Sequence, residues 1–204
     1  MMFPCLGIFL VLIAFIAAST FRAKQQQKEL FEQFLQKENE ANQTRRQDLN
    51  TLSYIHIPLD RFPFGRYEPE IFSSYEDSLR TLAETKMVNL NSKSNTELKL
   101  KYGVANLDAL LTCEKNFDQL CETLNEYGQT LAEQGHTEDA RQVLEYAVSI
   151  KTDYTNSFLT LARLYQAQGN RTKLEALIPS TAHIDSFRRK KLTDQLHELL
   201  ALCP

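Results

Sequence analysis

From Leu124 to Glu133 the apolar and small residues fall at 124, 127, 128 and 131, a stripe down one helical face. Gly135 then supplies a stop, Thr137 an expected N-cap, and Glu138 and Asp139 an acidic first turn. A second stripe follows at Ala140, Val143, Leu144, Ala147 and Val148, so the segment reads as an antiparallel helical hairpin. The first stripe returns 34 residues later: Leu124, Tyr127, Gly128, Leu131 and Gly135 recur as Phe158, Leu161, Ala162, Tyr165 and Gly169. Bulky, bulky, small, bulky and turn glycine each keep their place. Gly128 costs roughly 1 kcal/mol against alanine in an exposed helix, and its expected return is close approach of a neighbouring helix.

A recurrence at this interval marks stacked hairpins that bury their apolar faces only against each other. The pattern resembles the tetratricopeptide repeat family over about residues 121–182, through Leu124, Tyr127, Gly128, Leu131, Gly135, Ala140, Leu144 and Ala147, then Phe158, Leu161, Ala162 and Tyr165. It departs from the family at Leu124, where tryptophan is common, at Thr152, where proline is frequent, and in the second hairpin at Leu174 and Pro179. The expected fold class is all-α: hairpins of this kind forming a solenoid fragment, with helices before Lys115 and after Thr181 as caps. Helices are predicted at about 70–90, 96–112, 114–134, 137–150, 155–168, 171–178 and 184–201, the second capped by Ser94 or Asn95 with Glu97 in its first turn. The resemblance implies a partner-binding groove on the first helix of each hairpin. By register it would include Glu122, Asn125, Gln129, Asn156, Arg163 and Gln166.

The other end of the chain is different. Residues 1–21 carry no charged side chain, and a helix of that length rises about 31 Å, enough for a hydrocarbon core of ~30 Å. Without a basic segment ahead of it, the run reads as a retained single-pass anchor and not as a cleaved leader. Arg22, Lys24, Lys28 and Lys37 follow it, which places the N-terminus outside and the remainder in the cytoplasm. Residues 22–53 lack Gly and Pro and are expected to continue as a stalk helix, whose sparse apolar sites, Leu30, Phe31, Phe34 and Leu35 among them, could pair with a second copy. Residues 54–69 break the helix with Pro58, Pro63 and Pro69. Their aromatic and aliphatic content describes a strap that either packs on the helical domain, 70–204, or meets a partner.

Chemistry is sparse. The net charge of −3 gives no footprint for nucleic acid, and the basic run Arg188 to Lys191 reads as a solvated face. Cys113, Cys121 and Cys203 form no CxxC pair, and His56, His136, His183 and His197 are scattered. No phosphate loop, paired-histidine helix or nucleophile motif is present, so neither a cofactor nor a metal is expected and the chain is not read as an enzyme. The expected function is a membrane-tethered adaptor or scaffold gripping a protein or peptide at the cytoplasmic face. Two alternatives stay open: a structural membrane oligomer without a dedicated ligand, and an extracytoplasmic helical domain released from its leader.

Overall fold

The computed structural model describes residues 3–90 and 93–203, with backbone alone at 3–8, 10, 11 and 14. Its regular elements are helical: α1 (Phe3–Gln43), α2 (Pro69–Ala83), α3 (Asn95–Tyr102), α4 (Leu107–Glu133), α5 (Thr137–Ser149), α6 (Thr155–Ala167), α7 (Arg171–Ser180) and α8 (Ser186–Ala201), with short 3-10 turns between them. The chain divides into two compact units, one of residues 1–49 and 93–107, the other of 50–92 and 108–204. The boundary therefore does not follow the expected division at residues 53 and 69, because α3 groups with α1.

In the first unit, α3 packs beside the end of α1, where Ala41 is fully buried. Glu38 accepts hydrogen bonds from Lys99 and, at 2.7 Å, from the Thr96 hydroxyl. These two donors, Lys99 first, hold its carboxyl below the usual range. Ser94 caps α3 through a reciprocal box with Glu97. The expected stalk does not run to residue 53. Its helix stops at Gln43; the Thr44 hydroxyl turns back onto the Glu40 carbonyl, and Gln47 N–H donates to the Tyr102 carbonyl at 3.0 Å. Gly103, at φ +87°, lets the two segments touch, since a Cβ there would lie 2.6 Å from the Arg45 carbonyl oxygen.

The single-pass placement of residues 1–21 does not stand. Among the described residues no helix is long and apolar enough to cross a membrane. The apolar run thins toward Phe21, ahead of Arg22. That stretch ends in Ala17-Ala18-Ser19-Thr20, which adds little apolar surface. The rest of the expected anchor, Met1 and Met2 and the side chains of 3–8, 10, 11 and 14, lies outside the described residues. The orientation inferred from the flanking charges loses its basis with the span.

The second unit holds one core, running from Phe62, Phe72 and Leu79 through Leu124, Tyr127, Leu144, Phe158 and Ala162 to Leu192 and Leu196. Helix α4 is a single element across residue 113, where two helices were expected, because the interrupting glycine is Gly103 and nothing from Leu107 to Glu133 breaks the ladder. Conversely, α2 ends at Ala83 and not near residue 90. Met87, Val88 and Leu90 are buried in an extended segment whose Met87 carbonyl accepts from Ile55 N–H at 3.0 Å. The strap packs on this core, with Phe62 and Pro63 buried and Ile55, Ile57, Leu59, Phe64 and Tyr67 half-buried. Gly65 N–H donates to both oxygens of buried Glu76 at 3.0 Å, and the Tyr67 hydroxyl donates to Asp139 at 2.5 Å.

Gly128 is where α4 and α5 meet: an added Cβ would stand 2.5 Å from Leu144 Cδ2. Gly135 and Gly169 both take positive φ, +84° and +65°. Each is followed by an N–H reaching back five residues, His136 to Leu131 and Asn170 to Tyr165, both at 2.8 Å. Thr137 is the first helical residue of α5, and its expected capping role is absent; His136 holds the cap position without a side-chain bond.

Candidate functional site

Helices α4, α6 and α8 succeed one another through shared contacts. The Ser157 hydroxyl hydrogen-bonds Asn125 Oδ1 at 3.0 Å between α4 and α6, and α8 packs on α6 and α7. The 34-residue register extends one step further than the sequence reading carried it. Leu124, Gly128 and Leu131 lead through Phe158, Ala162 and Tyr165 to Leu192, Leu196 and Leu199, with Leu192 and Leu196 buried and Leu199 half-buried. The signal in the sequence was partial: Gln195 stands where the other two helices have a large residue, Leu196 where they have a small one, and Cys203 where they have the turn glycine. The same register sets polar residues in rows across the face: exposed Glu122, Asn156 and Lys190, then half-buried Gln129 with exposed Arg163 and His197.

The expected groove residues separate into two groups. Glu122, Asn156 and Arg163 are exposed and Gln166 half-exposed. Asn125, by contrast, is 6% exposed and fastened to Ser157, so it packs helices together. Half-buried Gln129 donates to the Asn125 carbonyl at 3.2 Å. The residues expected to pack the repeats are all buried, from Leu124, Tyr127, Gly128 and Leu131 through Ala140, Leu144 and Ala147 to Phe158, Leu161, Ala162 and Tyr165.

Two adjoining clefts open on this face. One, of about 440 Å³, lies at the start of α6 between Asp118, Asp153 and Arg188. The other, of about 360 Å³, runs between α6 and α8 with Leu159, Phe187, Lys191 and Gln195 on its walls. Asn156 lines both. Phe187 is 85% exposed at the rim, an apolar ring with little protein cover.

Charge is divided across the face. Glu114, Asp118 and Glu122 are spaced four apart along α4. Burial first and Asp118 second raise the Glu114 carboxyl, and burial followed by Asp153 raises that of Asp118. On α8, Arg188 pairs with Asp153 at 3.0 Å and with Asp185, while Arg189 donates to the Ala182 carbonyl. Lys190 and Lys191 are exposed and form no ion pair among the described residues. Arg188 and Arg189 thus have structural engagements that the reading of a solvated basic face missed.

The thiols of Cys113, Cys121 and Cys203 are free and buried, and burial pushes Cys121 up to about 12. Among the described residues no group of His, Cys, Asp and Glu could hold a metal ion. The chain matches no family model, no curated protein and no solved structure.

Proposed function

We propose that this chain is a tetratricopeptide-like docking module that acts by holding another protein segment across α4, α6 and α8 and not by catalysis. The observation that carries this reading is the exposed Phe187 on the rim of the α6–α8 cleft, beside the exposed polar residues Glu122, Asn156, Lys190, Arg163 and His197. An apolar anchor point with a polar surround is the anatomy of a protein-binding surface. The 34-residue register supports it further, because stacked first helices present one continuous face.

Crosslinked capture with the full chain as bait, followed by mass spectrometry, tests the proposal. Phe187→Asp and Arg163→Glu are expected to lose a shared set of captured proteins while keeping the wild-type melting temperature. Capture that is unchanged in both variants would refute the reading. A lower melting temperature for Arg163→Glu would make that arginine structural, leaving Phe187→Asp to decide.

A further inference from the structure

We infer that the upper part of this face, around Asn156, takes a second copy of the chain in a two-fold contact. The inference rests on the docking reading and names the occupant. Glu122, Asn156 and Lys190 occupy one row, in order across α4, α6 and α8, and all three are exposed. A two-fold axis parallel to the helices and passing through Asn156 reverses that order in the partner. It sets Glu122 against the partner's Lys190 and Lys190 against the partner's Glu122, so both ion pairs form in one operation. The residue on the axis meets its own copy and must be neutral; Asn156 is neutral and can both donate and accept.

The neighbouring residues fit the same operation. Glu114, Asp118 and Glu122 put three carboxylates on α4 that make no ion pair among the described residues, and their crowding calls for cations. Lys190 and Lys191 on α8 are uncommitted and lie where the partner's acidic stripe would arrive. Phe187, exposed on the same end of α8, gains cover from the partner's α4. The contact stops before Arg163, because the axis would bring two guanidinium groups together there. Gln129, Arg163 and Gln166 are thereby left for a different chain.

Sedimentation of the full chain across a concentration series tests this with charge swaps. Glu122→Lys and Lys190→Glu should each weaken dimerisation roughly tenfold or more, and the doubly swapped chain should recover it, since each new lysine then faces a new glutamate. Asn156→Cys should form an intermolecular disulfide under added oxidant, beyond any in the wild type, while Gln168→Cys should not. A monomer at every concentration would overturn the inference, as would association indifferent to the single swaps or unrestored by the double swap. Failure here while Phe187→Asp and Arg163→Glu still lose captured proteins leaves the docking reading standing; a dimer that responds to the swaps while both variants capture as the wild type does removes that reading alone.

Discussion

The hairpins α4–α5 and α6–α7 follow one register but solve their packing with different residues. In the first, Gly128 makes room for Leu144, which is fully buried. In the second, Ala162 fills the glycine's place and Ile178, the counterpart of Leu144, is only half-buried. Ala140 becomes Leu174, moving bulk one turn earlier, and Pro179 stands near the end of α7, which stops at Ser180. In α4 and α6 the buried positions keep their places, whereas α5 and α7 trade volume between neighbouring positions.

The comparison breaks hardest at the 144/178 pair. Leu144→Ala should cost about 3 kcal/mol, from the lost apolar contact and the cavity left against Gly128. Ile178→Ala should cost about half as much, because part of that side chain already meets solvent. Urea unfolding of the two variants measures both, and equal losses would mean that the hairpins carry the same load at this position.

Glycine and alanine at 128 and 162 come next, with losses expected in both directions of exchange. Gly128→Ala gains about 1 kcal/mol of helix propensity but forces a Cβ to 2.5 Å from Leu144, and overpacking of ~1–3 kcal/mol outweighs the gain. Ala162→Gly loses that propensity together with a buried methyl group, about 1–2 kcal/mol. Combining Gly128→Ala with Leu144→Ala should cost less than the sum of the two, which a double-mutant cycle reads directly.

What could be read in advance here follows from locality. The buried stripes and the stops at Gly135 and Gly169 were legible, since periodicity and positive φ are set within one or two helical turns. Asn125 was misplaced because its burial depends on Ser157, 32 residues away. The end of α1 was missed because Gln47 is held by Tyr102, and α2 was drawn too long because Met87 is held by Ile55. The third helix of the series, α8, could have been found by carrying the interval past Gln195. Ser94 with Glu97 was legible as a cap, whereas Thr137 had the right composition and the wrong backbone position.

The hairpins are also tied to each other at Glu145, and pH sharpens that link. Glu145 accepts from Arg141 and the Tyr165 hydroxyl at 2.6 Å and from Lys173 at 2.8 Å, joining α5, α6 and α7. Burial raises this carboxyl, but the bonds from Lys173, Tyr165 and Arg141 outweigh burial and hold it below the ordinary range of a glutamate. A carboxyl lowered by folding contributes stability above its unfolded value, and that contribution fades as pH falls through the folded one. Glu145→Gln should therefore cost about 1 kcal/mol at neutral pH and flatten the loss of stability below about pH 4.5. An acid limb as steep as in the wild type would place the sensitivity elsewhere.

The smallest effect concerns the turn between the hairpins. Helix α5 ends as α4 and α6 do, with an N–H reaching back five residues, here Thr152 to the Ala147 carbonyl at 3.1 Å. The left-handed position is Lys151, at φ +63°, where the other two ends have glycine. A Cβ in that conformation costs roughly 1–2 kcal/mol, and glycine removes the cost. Glycine also widens the unfolded ensemble, which takes back about 0.4–1 kcal/mol. Lys151→Gly should therefore stabilise the chain by about 0.5 kcal/mol, a rise in melting temperature of a degree or two for a domain of this size. Gly135→Ala and Gly169→Ala should each run the other way by a larger margin. A loss of stability in Lys151→Gly would mean that the lysine side chain contributes contacts worth more than the backbone strain it carries.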